Sequence, residues 1–153
     1  MQETAKKSCL LITYFYIMKT IIVKAFIDCT IEKAWEFWTS PEHVKNWNFA
    51  TSDWYCPAAT NNLVVGGEFH YTMSAKDNSM SFDFWGTYIK IEPKKNIEIK
   101  LGDDRNMYVR FESTDTGILV TEEFEPEKQN PEEMQAAGWQ MILDNFKKYV
   151  EGR

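Results

Sequence analysis

The chain has 153 residues, which fits one domain with its own hydrophobic core. Hydrophobic residues at 44% and charged residues at 26% are ordinary for a globular protein. The net charge of −6 comes with no basic stripe, which excludes nucleic acid as an expected partner and favours solubility.

At the N-terminus, Lys6 and Lys7 precede an apolar run from Cys9 to Met18. This order resembles the basic and apolar regions of a secretory signal. No small-x-small cleavage site follows, however, and the run is too short to span a bilayer, so no membrane insertion is expected. Met18-Lys19 reads as a natural start. Residues 1–17 are therefore read first as an extension from an over-long reading frame, second as an ordered extra element, and third as a signal. The domain is expected over residues 18–153.

Ile21 to Ile27 reads as a strand. Thr30 caps a helix whose apolar face is Ile31, Ala34, Trp35 and Trp38. That helix should stop before Pro41, because the residue preceding a proline avoids the helical region. Ser40-Pro41-Glu42 restarts a short second helix ending near Trp47. Residues 48–66 lack periodicity, apart from a short strand expected at Trp54-Tyr55. Antiparallel strands with period-two alternation follow. Phe69, Tyr71 and Met73 share one face, and Phe82, Phe84, Gly86 and Tyr88 share one parity. Ile89 and Ile91 have the opposite parity, which predicts a bulge near Gly86 or Tyr88. Ile97, Ile99 and Leu101, then Met107, Val109 and Phe111, then Ile118, Val120 and Phe124 complete the sheet. A final helix begins at Asn130-Pro131, with Asn130 as cap and Glu133 completing a capping-box-like pair. Its apolar stripe is Trp139, Ile142, Leu143, Phe146, Tyr149 and Val150.

The order of elements resembles the helix-grip fold of the START, polyketide-cyclase and birch-pollen-allergen superfamily, SRPBCC. Within it, the chain is similar to the branch named after the C-terminal domain of the activator of heat-shock protein 90 ATPase. The residues that carry the resemblance are Ile31 to His43 with Trp47, Val65 to Phe69, Gly86 to Pro93, and Gly138-Trp139 with Ile142 to Lys147. The resemblance covers Met18 to Glu151. It implies an α+β fold of order β-α-α-β(about six)-α, a curved antiparallel sheet wrapped around the long C-terminal helix, as a stand-alone bacterial-type domain. It is weak on activity, because members range from lipid carriers to cyclases. The chaperone-binding N-terminal domain of the eukaryotic co-chaperones has no counterpart here, so the family name does not state a task.

Aromatic residues reach 15%, which fits either a bulky core or a pocket for a flat, greasy ligand. Facing apolar stripes on sheet and helix give the expected walls of a cavity. The sheet supplies Phe69, Tyr71, Met73, Phe82, Phe84 and Tyr88, and the helix supplies Trp139, Ile142, Leu143 and Phe146. Trp47 and Trp54 flank the irregular segment and are expected at the mouth. The plain alternative is a close-packed core without a void. Gly138 stands beside the stripe, where it would relieve crowding or admit an aromatic ring. Glu122 is the one acidic residue sharing the parity of Ile118, Val120 and Phe124: it is read first as a bulge or an open-end position where the carboxylate reaches water, and second as an inward carboxylate that orients a polar ligand group or serves as an acid/base. Arg105 is its expected partner.

His70 falls on the outer face, and His43 has no ligand-spaced partner. Asp103 and Asp104 occupy a turn that favours aspartate for backbone reasons. Cys9, Cys29 and Cys56 form no Cys-x-x-Cys pair and, with two histidines, no zinc pattern. Their sparse, odd number suits a reducing cytoplasm. No nucleophile elbow and no phosphate-binding glycine loop occurs, so neither a metal nor a cofactor is expected. Three functions stay open. The first is a binding module for a small hydrophobic, amphipathic or aromatic molecule. The second is a cyclase- or lyase-like enzyme using Glu122 with Tyr71 or Tyr88. The third is an interaction domain that forms a homodimer or meets a chaperone through its outer sheet face.

Overall fold

The structure, a computed structural model, describes residues 19–153. The expectations for residues 1–17 lie outside the described residues. Strand β1 (Ile21–Ile27) is followed by helices α1 (Ile31–Thr39) and α2 (Pro41–Val44). Six strands come next: β2 (Trp54–Asn61), β3 (Glu68–Ala75), β4 (Ser81–Glu92), β5 (Asn96–Leu101), β6 (Asn106–Ser113) and β7 (Ile118–Phe124). Helix α3 (Glu132–Glu151) ends the chain. This is the helix-grip order read from the sequence. Among the described residues, no helix is long and apolar enough to cross a membrane.

The strands form one antiparallel sheet in the order β1-β7-β6-β5-β4-β3-β2. Six of its strands, β2 to β7, run in meander order. The first strand then pairs with the last, Ile27 opposite Ile118 and Ile21 opposite Phe124. Alternation dictates which side is inner: Val23, Ala25 and Ile27 turn inward from β1, while Ile22, Lys24 and Phe26 face out. Two irregularities interrupt the ladders. One lies between Tyr88 and Lys90, where the parity switch predicts it. The other lies between Tyr55 and Ala58 and contains Pro57, tolerated because β2 is an edge strand.

Helix α3 lies across the inner face along β1, and polar side chains fix it there. Gln140 Nε2 donates to the carbonyl of Lys24 at 2.9 Å, Lys147 Nζ to that of Phe26 at 2.5 Å, and the Asp28 amide donates to Glu151 Oε2 at 2.9 Å. These bonds cover backbone groups of an edge strand that would otherwise invite another chain. Leu143, Phe146 and Val150 of α3 are fully enclosed with Ile27, Val120 and Phe124 of the sheet. Trp38 and Trp47 both pack edge-on or tilted around this core, each 4.9 Å from the Phe146 ring.

Local starts and stops follow the residues with two exceptions. Thr30 Oγ1 accepts the Lys33 amide, capping α1, and Ser40 ahead of Pro41 is extended, ending it. Ser40 stands at the cap position of α2, but its side chain makes no capping bond. The start of α3 also differs from expectation. Pro131, not Asn130, is the cap residue, and no side chain caps the first turn. Asn130 turns its amide to Glu127 instead. The buried Gln135 reaches back to bond the Glu127 amide and the carbonyls of Glu127 and Asn130, so it holds the approach to the helix.

Candidate functional site

Away from the packed end of α3, the inner face encloses a cavity of about 240 Å³. For scale, a dry cavity of about 150 Å³ admits benzene. The sheet gives most of the wall: Phe69, Tyr71 and Met73 on β3, Phe82, Phe84 and Tyr88 on β4, Ile97 and Ile99 on β5, and Met107 on β6. Helix α3 contributes Trp139 and Ile142, and Trp38, Trp47 and Asn48 close the side under α1 and α2. Phe82 is 45% exposed and marks the open side.

These walls are held in place. Trp139 stacks on Phe124 at 3.8 Å and meets Phe84 edge-on at 5.7 Å. The indole of Trp47 donates to the Phe37 carbonyl at 3.0 Å. Phe69 lies over Gly86, its cross-strand partner, where a Cβ would stand 3.1 Å from the ring and 2.7 Å from Ile99. Glycine there lets the ring rest against the sheet. The Tyr88 hydroxyl donates to Asn61 Oδ1 at 2.6 Å, and Asn61 Nδ2 donates to the Thr39 carbonyl at 2.7 Å, tying β4 to the end of α1 through the edge strand. Burial pushes the Tyr88 phenol up to about 12 and holds that of Tyr71 well above the usual phenol value, so both are neutral at physiological pH.

Glu122 reaches the same cavity. It lies between Val23 of β1 and Val109 of β6 in the sheet, with 5% of its surface exposed. Among the described residues it has neither a hydrogen-bond nor an ion-pair partner. Desolvation alone raises its carboxyl to about 8. It is therefore mostly a neutral acid at pH 7, able both to donate and to accept. Arg105 also lines the cavity but is not its partner. Its guanidinium is taken by Asp103 (Nε to Oδ2, 2.7 Å) and by the Glu125 carbonyl at 3.0 Å. The flanking hairpin offers Arg105 a nearer carboxylate two residues away, which removes the pairing expected from strand parity.

Of the wall residues expected from sequence, Trp47, Phe69, Tyr71, Met73, Phe82, Phe84, Tyr88, Trp139 and Ile142 come together around this space. Three do not. Leu143 and Phe146 are wholly enclosed in the packed core, on the side of the stripe that faces β1 and α1. Trp54 does not line the space; it packs edge-on against Phe82, on the open side, at 5.9 Å. Sequence reasoning passed over Trp38, Asn48, Ile97, Ile99 and Met107 as wall residues. The isoleucines and Met107 carry the right parity, whereas Asn48 sits in an aperiodic segment without a signal. Gly138 neither relieves crowding nor admits a ring: a Cβ there would meet nothing within 4 Å.

The remaining polar candidates lie elsewhere. His70 is gripped on the outer face by Asp83 at 2.6 Å and Glu68 at 3.0 Å, and stacks on Trp85. These carboxylates raise its pKa, that of Asp83 more strongly. His43 Nδ1 meets the Tyr149 hydroxyl at 2.8 Å and stacks on Phe37. Burial raises the Cys56 thiol, leaving it a poor nucleophile. Among the described residues, no three His, Cys, Asp or Glu side chains gather as metal ligands would.

The family model described as "Activator of Hsp90 ATPase homolog 1-like protein" matches residues 28–151. The chain belongs to this family. Its fold matches the solution structure of the AHSA1-like protein from Aeromonas hydrophila with a TM-score of 0.83 and 41% identity, over 88% of this chain and 93% of that one. A protein from Cytophaga hutchinsonii is similar at a TM-score of 0.76 and 43% identity, over 87% and 92% of the two chains. A Nitrosomonas europaea protein shares the fold at a TM-score of 0.75 with 17% identity, over 87% and 94%. No curated protein matches the chain.

Proposed function

We propose that this member of the activator of Hsp90 ATPase homolog 1-like family binds a small, mainly apolar molecule between α3 and the sheet. The observation that carries the reading is the void itself. A close-packed interior leaves few holes larger than a water molecule. This one has room for one or two rings, and aromatic walls in which Trp47 and Tyr88 are fixed by their own hydrogen bonds favour a preformed pocket. Three tryptophans on the wall report directly on occupancy. Titration with 2-naphthol should quench the tryptophan emission to saturation, and Ile142→Trp, which fills the cavity, should abolish the saturable phase. Linear quenching identical in both proteins would rule the reading out.

A second reading, acid–base catalysis in the same cavity, is favoured by one observation. Glu122 is a buried carboxyl held protonated near neutral pH, the state a general acid requires. Turnover that disappears in Glu122→Gln while 2-naphthol binding persists would favour it over simple binding.

A further inference from the structure

The polar groups of the cavity sort into those already engaged and those left over. Arg105 is held by Asp103 and the Glu125 carbonyl, Tyr88 by Asn61, and the Trp47 indole by Phe37. Tyr71 faces Tyr88. Of the buried polar side chains on the wall, two are left over among the described residues. One is the carboxyl of Glu122. The other is the amide nitrogen of Asn48, buried with no acceptor.

An unpaired carboxyl at such a place is costly to the protein alone. Its neighbours offer no charge to offset it: Val23 from β1, Val109 from β6, and Trp139 and Ile142 from α3 are all uncharged. Tyr71 and Tyr88 facing the cavity from β3 and β4 are neutral, and among the described residues Arg105 is the only cation on the wall. Most of the remaining lining is apolar, and its aromatic members, Trp38, Trp47, Phe69, Phe84 and Trp139, offer ring faces that attract a desolvated cation by their quadrupole. We propose that the cavity selects a small aromatic amine as its ammonium ion, with the cation on Glu122 and the ring among Trp38, Phe69, Phe84 and Trp139. This rests on the reading of the cavity as a ligand site.

The chemistry separates this ligand from its neutral and anionic analogues. A hydroxyl would satisfy Glu122 but gain little from the ring faces. A carboxylate would meet a wall whose one guanidinium is already paired. The ammonium does both jobs, and binding drives off the proton that Glu122 carries in the empty cavity. At pH 7, close to one proton passes from the carboxyl to solvent for each ligand bound, because the empty site titrates at about 8. The volume admits one ring with a two-carbon arm.

Calorimetric titration of the full chain at pH 7 with 2-phenylethylamine, 2-phenylethanol and phenylacetate tests this. The amine should bind about tenfold tighter than the alcohol, and phenylacetate should not saturate. Repeating the amine titration in phosphate and in Tris should show release of close to one proton from the wild-type protein, a readout that needs no variant. Glu122→Gln should lower the amine to the affinity of the alcohol and leave the alcohol nearly unchanged. Alcohol binding as tight as amine binding, amine binding without proton release, or an amine preference that survives in Glu122→Gln would each overturn the ammonium assignment while leaving the ligand cavity standing. Failure of all three probes and of 2-naphthol to saturate would overturn both.

Discussion

Glu122 and Glu123 are adjacent on β7 and live in opposite worlds. Glu123 points outward, accepts from Arg110 Nη2 at 2.7 Å and from the Thr20 hydroxyl at 2.8 Å, and has its pKa lowered, chiefly by the Arg110 hydrogen bond. Glu122 points inward, finds no such partner among the described residues, and is raised to about 8 by burial. A strand of period two places neighbouring residues on opposite faces, so one step along the chain changes water for an aromatic interior. The outer face solves its charges with ion pairs: His70 with Asp83 and Glu68, Lys90 with Glu92, Arg110 with Glu123. Among the described residues, the cavity leaves its one carboxyl, Glu122, without a partner. A group kept at a cost on an otherwise optimised surface marks the place where something beyond stability is at stake.

The largest effect should come from removing that charge. Between pH 4.5 and 8 the native protein keeps a proton that the unfolded chain has released, so native Glu122 binds more protons and its contribution to stability falls as pH rises across this window. For a gap of this size the loss amounts to roughly 4 kcal/mol by pH 8. Urea unfolding of ligand-free Glu122→Gln should match the wild type near pH 4.5 and exceed it by about that amount at pH 8. Parallel pH profiles would mean that the carboxyl reaches water or an unseen partner. Next in size is a contrast within α3. Leu143→Ala, in the packed core, should cost about 3 kcal/mol, whereas Ile142→Ala, already beside the void, should cost only about 1 kcal/mol. Equal losses would show the cavity to be filled by side-chain rearrangement.

The same contrast shows what could be read from the chain. The strands' places along the chain, the bulge near Tyr88 and the parity that Glu122 shares with Val120 and Phe124 follow from alternation, a local property that each strand carries in its own residues; that β1 pairs with β7 does not. The stripe on α3 was equally legible, but a stripe spans an arc. Nothing local distinguishes Leu143 and Phe146 at its packed flank from Trp139 and Ile142 at its open one. That division depends on where β1 and α1 meet the helix. Trp38 and Asn48 escaped for a related reason, because they reach the wall from separate segments that only the fold brings together. Arg105 and Asn130 misled because each had a nearer partner: Asp103 in its own hairpin, and Glu127 ahead of a proline. Gln135, which fixes the approach to α3, gives no sequence signal at all, since its bonds run backward to an irregular loop.

On α3 itself, Gly138→Ala should stabilise the protein by about 0.8 kcal/mol, the helix-propensity gain, since a methyl there meets nothing. A rise in melting temperature without change in 2-naphthol affinity would place this position outside the cavity wall in function as well as in geometry. A destabilised variant would instead show that the helix draws closer to the sheet than its position here allows.

The smallest effect belongs to the other member of the adjacent pair. Glu123 has a lowered pKa, so its contribution is present above the carboxyl's unfolded pKa and lost as pH falls through the folded one, the reverse of Glu122. Its partner Arg110 is 40% exposed at the side chain, and water and salt screen the pair. Glu123→Gln should therefore cost only about 0.5 kcal/mol at pH 7, with the difference fading in acid and in 1 M salt. The two single-residue variants, one amide apart on the same strand, should thus shift stability in opposite directions at pH 8. A common sign would mean that the strand's two faces do not present the separate environments on which the assignment of Glu122 rests.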